Sequence, residues 1–281
     1  MEVLFPRTVE ELQKLMKDTP DGLIMAGGTD LLVKLRRTGR KPPAIFCTER
    51  INELQQVDVR AGEVAIGSAV TLQRLLECNT VQTELTALFQ ALSVLASPPV
   101  RHSATLTGNL CTASPAGDTL PPLNVLGAEV EVCSSGERRR QPVAEFITGP
   151  GETTLKVGKI VTAVIIPRPT VGTRSVYFKV GRRKAMAIAV ASMAACIVAG
   201  DDEKIQNIKL AWGSVGPTVV TAPDAEAYLM GRSLSFDSFR KAGLIVADAV
   251  DPIDDVRASA DYRRRVAGNL LLRLCGLERS E

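Results

Sequence analysis

Two short polar segments contain the residue types with chemistry in them. The first, Ala26-Gly27-Gly28-Thr29-Asp30-Leu31, follows the apolar run Leu23-Ile24-Met25 and leads into Leu31–Arg37, whose apolar residues have helical spacing. Adjacent glycines let backbone N–H groups converge on an anion without interference from a Cβ. A helix starting just afterwards adds its first-turn amides and the positive end of its dipole. Thr29 adds a hydroxyl donor, while Asp30 suits a helix N-cap better than a phosphate ligand. The pattern is neither GxGxxG nor a Walker loop, whose lysine it lacks. An ordinary Gly-Gly turn between strand and helix fits the same spacing.

The second segment, Ala104 to Asp118 (ATLTGNLCTASPAGD), gathers hydroxyls, an amide, glycine and a carboxylate between apolar stretches. A carboxylate is a poor partner for phosphate but a good acceptor from sugar hydroxyls or a heterocycle N–H. Asn109 donates and accepts at once, which suits a flavin or purine edge. Asp118 could instead cap the segment Thr119–Leu126. One phosphate-like loop and one sugar-like loop in the same chain favour a dinucleotide ligand.

Composition narrows the remaining chemistry. The chain has 281 residues, with 45% hydrophobic and 23% charged, which fits a soluble globular protein of roughly two domains. A net charge of +3 argues against a general nucleic-acid binder, and 4% aromatics leave few residues for a base-stacking platform. The single histidine, His102, excludes His-rich zinc sites and the HExxH helix. Any Ser or Cys hydrolase would have to use it as the base. Cys47, Cys78, Cys111, Cys133, Cys196 and Cys275 form no CxxC, so the chain is expected to hold neither a zinc ribbon nor an iron–sulfur cluster. They read as reduced cytoplasmic thiols. The start, MEVLFPRTVEEL, lacks the apolar core of a signal peptide. The longest uncharged run, Ala185 to Gly200, falls short of the roughly 20 residues needed to cross a bilayer. No metal site on this chain and no membrane span are expected.

The positioning elements follow from caps and periodicity. Thr8-Val-Glu-Glu11 is a capping box that opens a short helix with Val9 and Leu12 on one face. Strands are expected at Leu23–Ala26, from Ile45 toward Leu54, and at Glu63–Gly67. Thr71 caps a helix to about Cys78, and Glu84 to Ala96 forms another, stopped by Pro98-Pro99. Val100 to Pro122 shows little periodicity and reads as a long functional loop. Ala128–Val132 and Gln141–Phe146 read as a hairpin, and Lys159–Pro167 as a strand. A Pro/Thr/Gly-rich joint at Arg168–Thr173 precedes strands at Ser175–Val180, Ile188–Val198 and Ile205–Trp212. Helices follow near Asp224–Met230, Phe236–Val250 and Asp261–Leu274.

AGGTDLL at 26–32, VRHSATLTGNLCTASPAGDTLPPL at 100–123 and PIDDVRASADYR at 252–263 together resemble one family, across essentially the whole chain. It is the medium, FAD-binding subunit of molybdenum hydroxylases, the group of xanthine dehydrogenase and aerobic carbon monoxide dehydrogenase. The resemblance implies an α+β architecture. Residues 1–170 would form a two-lobed FAD-binding domain of the vanillyl-alcohol-oxidase/PCMH type, with lobes at about 1–58 and 59–170. Residues 171–281 would form a smaller α+β C-terminal domain.

The resemblance also implies a site. Met25, Ala26, Gly27, Gly28, Thr29, Asp30, Leu31 and Leu32 would hold the FAD pyrophosphate. Thr105, Leu106, Thr107, Gly108 and Asn109 would add contacts, and Asp118 would be the acidic ligand. Ile160 or Val161 would touch the ring system or its linker, and Lys179 would lie near the flavin. On its own, Lys179 reads as a solvated strand residue. The chain departs from the family at His102, where the usual pair is Arg-Asn, and at Thr107-Gly108, commonly Gly-Gly. A β-branched Thr resists positive φ, so the backbone at Thr107 must suit it or rearrange. His102 is either a hydrogen-bonded structural residue or a group that tunes the flavin.

The function implied is electron transfer without a catalytic acid or base on this chain. Partners would be a large molybdopterin-binding subunit and a small subunit with two 2Fe–2S clusters, with a dimer of heterotrimers as one arrangement. NAD, a quinone or oxygen would be the acceptor. A stand-alone flavin-dependent reductase and a non-catalytic nucleotide-binding assembly subunit are the alternatives. Asp118→Ala and Gly28→Val are each expected to weaken FAD retention with the fold preserved.

Overall fold

A computed structural model describes residues 1–183, 185–200 and 203–276. The chain forms two compact units and contributes three stretches to each. The first comprises Met1–Cys78, Ala96–Ala113 and Gly127–Arg168; the second comprises Asn79–Leu95, Ser114–Leu126 and the chain from Pro169 onward.

In the first unit, Thr8 starts the helix Val9–Asp18 by accepting from the Glu11 amide at 3.1 Å. Glu11 turns its carboxylate to the Arg7 amide, 2.7 Å away, one residue earlier than the capping box requires. Val9 and Leu12 are buried with Ala44 and Phe46, which seats the helix on a three-stranded parallel sheet. That sheet has Ala44–Cys47 in the centre, flanked by Glu2–Leu4 and Leu23–Met25. Parallel neighbours need crossover connections, and Val9–Asp18 and Leu31–Thr38 supply them. The turn 26–30 therefore lies at the C-terminal end of one strand and immediately before a helix.

The same unit has a five-stranded antiparallel sheet in the order Val57–Val59, Glu63–Gly67, Ile160–Pro167, Glu129–Ser134, Glu137–Pro142. The expected hairpin is present, but its second arm is Glu137–Pro142, and Val143–Phe146 is a helical turn. Ser135 and Gly136 have φ of 50° and 86°, the two-residue turn that matches strand twist and brings Ser134 opposite Glu137. The arm was concealed by its composition: Arg138 and Arg140 pair with Glu131 and Glu63, as suits a charged edge strand.

The second unit is built on an antiparallel sheet of Thr173–Gly181, Ala189–Ala199, Ile205–Gly213 and Val220–Thr221. The uncharged run near 185–200 is thus mostly strand. Alternation divides its faces. Val176, Phe178, Met193, Ala195 and Trp212 face a core shared with the helices Pro223–Leu229, Phe236–Ala249 and Ala260–Leu270. Trp212 Nε1 donates to the Ala267 carbonyl at 3.0 Å, so the largest buried side chain is also satisfied. Ser175, Tyr177 and Lys179 have the opposite parity. On their side, Thr86 Oγ1 lies 2.9 Å from Ser175 Oγ, and Gln90 Oε1 accepts from the Tyr177 amide at 2.7 Å.

The segment read as a loop from Val100 to Pro122 is about half helical, with short helices at Pro98–Arg101, Leu106–Thr112 and Leu120–Val125 joined by turns. Each has two turns or fewer, too little for amphipathic periodicity to register. Pro98-Pro99 accordingly opens a helix rather than only closing one, and the preceding helix spans Thr86–Val94. The C-terminal helix ends at Leu270 and continues as a 3-10 turn, Leu271–Gly276.

The 252–263 motif proves to be a brace inside the second unit. Arg263 is buried and donates to the carbonyls of Val190 at 2.7 Å and Ser214 at 3.0 Å, and to Asp255 at 2.6 Å. Desolvation pushes the Asp255 carboxyl up, but bonds from the Arg257 amide, the guanidinium groups of Arg263 and Arg257, and the Ala258 amide hold it well below 3.8. A depressed acid stabilises the fold above its unfolded value, and that contribution is lost as pH falls through the folded value. Chemical unfolding of wild type and Asp255→Asn should therefore differ most above pH 3.8 and converge as acid is added.

No helix among the described residues is long and apolar enough to cross a membrane, and Cys47, Cys78, Cys111, Cys133 and Cys196 are free thiols.

Candidate functional site

In the first unit the glycine turn meets the start of the second segment, at Ser103 and Ala104. A Cβ on Gly27 would lie 1.7 Å from the Ser103 carbonyl oxygen and 2.9 Å from Ala104 Cα, so only glycine permits this approach. Gly28 follows at φ +68°, a left-handed conformation that costs a side-chain-bearing residue about 1–2 kcal/mol. The turn after Met25 is thereby pressed onto the backbone that leads into Thr105. Leu32 N returns to the Gly28 carbonyl at 3.0 Å, and Thr29 is exposed.

Asp30 occupies the N-cap position of Leu31–Thr38 as expected, yet its side chain makes no capping bond. Its backbone is already helical (φ −108°, ψ −43°), whereas capping uses an extended residue. No side chain caps the helix's first turn; Leu32 N is already held by the Gly28 carbonyl, and the other first-turn amides suit an anion. Leu31 is half-buried and Leu32 half-exposed on the helix they open.

Thr105 caps the helix Leu106–Thr112 by accepting from Gly108 N at 3.0 Å. Thr107 lies within that helix and has no positive φ, so the β-branched residue is accommodated without backbone strain. Its side chain is 7% exposed, and Oγ1 has no hydrogen-bond partner. An unpaired buried hydroxyl costs about 1–3 kcal/mol, which an acceptor on a ligand would relieve. Leu106 is buried, and Asn109 is half-buried. The helix packs beside the strand Ile160–Pro167. Ile160 and Val161 are both buried there, and the Ile160 side chain belongs to the Val9, Leu12 and Phe46 core. Only their backbone is suited to a polar ligand. The His102 imidazole is exposed, while its amide donates to the Pro98 carbonyl.

The second unit holds Asp118 and Lys179. A tight turn, with Gly117 N donating to the Ser114 carbonyl at 2.8 Å, sets Asp118 before the helix Leu120–Val125. Thr119, not Asp118, has the N-cap position, so the carboxylate is directed elsewhere. Lys179 Nζ donates to Asp118 Oδ2 at 2.6 Å, and Tyr177 OH donates to Oδ1 at 2.7 Å. Both charged side chains are 8% exposed, so Lys179 is no solvated strand residue. Burial raises the Asp118 carboxyl, and the Lys179 charge and the bonds from Lys179 and Tyr177 offset that only in part, so it stays above the ordinary carboxylate range. Tyr177 escaped the sequence reading because it resembles any strand aromatic. Its signal was the two-residue spacing from Lys179, which places both side chains on one face.

Each unit, taken by itself, carries groups that suit part of a dinucleotide cofactor such as FAD. A glycine-built turn, uncapped helix amides and an orphaned hydroxyl supply donors for phosphate. A buried carboxylate with an adjacent ammonium supplies an acceptor and a cation for a sugar or ring.

Residues 1–169 match the family described as FAD binding domain in molybdopterin dehydrogenase, and residues 176–276 match the CO dehydrogenase flavoprotein C-terminal domain. The xanthine dehydrogenase FAD-binding subunit of Escherichia coli O157:H7 is 30% identical over 259 residues, covering 91% of this chain and 88% of that protein. The nicotinate dehydrogenase FAD-subunit of Eubacterium barkeri is 29% identical over 269 residues, covering 94% and 90%. Among solved structures, a carbon monoxide dehydrogenase from Hydrogenophaga pseudoflava aligns with a TM-score of 0.91 at 26% identity, covering 97% of this chain and 95% of that one.

Proposed function

The chain belongs to the family of FAD-binding subunits of molybdopterin dehydrogenases and is an oxidoreductase subunit; on that premise we propose that it is the electron-transfer flavoprotein of a molybdenum hydroxylase. Its partners are a large molybdopterin-binding subunit, where substrate is hydroxylated, and a small subunit with two 2Fe–2S clusters. NAD, a quinone or oxygen is the final acceptor. The free thiols of Cys47, Cys78, Cys111, Cys133 and Cys196 suit a cytoplasmic setting.

When bound, FAD supplies the redox chemistry that links the partner's clusters to that acceptor. This chain's residues bind and orient. Backbone amides of the turn from Met25 through Leu31 receive the pyrophosphate, Leu32 N being held by the Gly28 carbonyl, and Thr105 to Asn109 close over it. Asp118 accepts from sugar hydroxyls or a ring N–H, Lys179 sets a positive charge beside it, and the Ile160–Val161 backbone adds a polar edge. The observation that carries the reading is the cradle of Gly27 and Gly28 pressed against Ser103–Ala104, beside the unpartnered Thr107 hydroxyl.

That hydroxyl makes its own prediction. Thr107→Val keeps the shape and removes an unsatisfied polar atom, so the cofactor-free chain should be as stable as wild type or more so by up to about 1 kcal/mol. Its FAD affinity should nevertheless fall about five- to tenfold, with Thr107→Ser close to wild type. Thermal melts and flavin titration check both halves.

The electron-transfer role is tested in the co-purified complex. Anaerobic addition of purine, nicotinate-type, aldehyde or carbon monoxide substrates should bleach the flavin absorbance for one class, and only with the iron–sulfur partner present. Equal bleaching without that partner would contradict the assignment.

A further inference from the structure

Tyr177, Asp118 and Lys179 form a buried polar cluster in the second unit, with Ser192 opposite Lys179 on the neighbouring strand and Gln90, itself exposed, at its edge. The ion pair alone would leave the carboxylate free to turn, because one ammonium contact on Oδ2 does not fix the plane of the group. The second bond does: Tyr177 OH donates to Oδ1 at 2.7 Å while Lys179 Nζ holds Oδ2 at 2.6 Å. The phenol is itself held. Its residue is 5% exposed, its backbone amide donates to Gln90 Oε1 at 2.7 Å, and its strand is registered with Ala189–Ala199 through Tyr177 opposite Ala194 and Lys179 opposite Ser192. Burial first, then the Asp118 charge and hydrogen bond, push the Tyr177 hydroxyl well above 10, so it is a permanent donor at neutral pH.

Each Asp118 oxygen thus spends one acceptor position on the protein and has one left. We propose that Tyr177 is a positioning residue for the cofactor: by fixing the plane of the Asp118 carboxylate, it aims the remaining acceptor positions at hydroxyl or N–H donors of FAD. The proposal rests on the FAD reading above. It asks of Tyr177 no contact with FAD, only control of the group that makes one. A tyrosine that serves packing alone would have no reason to act through Asp118.

A double-mutant cycle on the full-length chain separates the two roles. Tyr177→Phe should weaken FAD binding about five- to tenfold by flavin titration, since the lost bond is to a charged group. In an Asp118→Asn background the same change should have no further effect on FAD affinity. Equal losses in both backgrounds, or wild-type affinity in Tyr177→Phe, would overturn the positioning role. Should Tyr177→Phe fold poorly, the double variant decides alone, because it disturbs both ends of the bond. Affinity equal to that of Asp118→Asn supports the proposal, and a further fivefold loss overturns it. Wild-type protein that binds no FAD overturns the functional reading along with this one, whereas tight wild-type binding with additive losses overturns this one only.

Discussion

A Gly27→Ala variant is expected to lose FAD and to be destabilised by roughly 3 kcal/mol, the upper end of what forced overpacking costs. The added carbon would sit 1.7 Å from the Ser103 carbonyl oxygen, and no rotamer can relieve a clash between a Cβ and backbone. The turn must lift away from Ser103–Ala104, which separates the amides of Ala26–Asp30 from Thr105–Asn109. Gly28→Val, the change suggested by sequence alone, should be milder. Its new Cβ meets the Met25 Sδ at 2.9 Å, the far end of a flexible side chain, and its main cost is the φ of +68°. Gly39→Ala is the control: φ is +67° with no atom within 4 Å, so it should lose about 1–2 kcal/mol and keep its FAD. FAD content after desalting, with urea unfolding alongside, separates the three. A Gly27→Ala protein with wild-type FAD content would remove the cradle from the account.

Asp118→Ala is the second large effect, and here the fold is not expected to survive unharmed. It leaves the Lys179 ammonium, 8% exposed, without its carboxylate and takes the acceptor from the Tyr177 hydroxyl. Breaking a buried pair from one side costs about 3–5 kcal/mol. Removing both charges costs far less, so Asp118→Ala/Lys179→Met should recover most of the stability without recovering FAD. A double variant that regains stability and FAD together would show that the pair serves the fold alone.

How much of this could be read from the sequence depended on the kind of signal. Gly27-Gly28 was legible as a tight strand-to-helix turn, but its spacing fitted an ordinary turn equally, and only the second loop and the family resemblance pointed to a ligand there. The capping threonines at 8 and 71 lie where the sequence puts them, whereas the cap at Thr105 was hidden in a segment read as a loop. Asp30 misled because a cap is decided by backbone torsions, and its residue type alone does not report them. The edge strand Glu137–Pro142 was hidden by arginines that its neighbours' glutamates neutralise. Asp118 was singled out, but its partners are about 60 positions further along the chain, at Tyr177 and Lys179, and only strand pairing brings them near. The family resemblance supplied Lys179, and Tyr177 could be reached only through it, as the residue two positions away on the same strand face.

The central claim is that this chain itself holds FAD. The full-length protein, purified after supplementation with FAD, should show the visible absorbance of oxidised flavin. On denaturation it should release FAD, not FMN or riboflavin, at close to equimolar yield. A folded preparation that repeatedly retains no flavin would contradict the account.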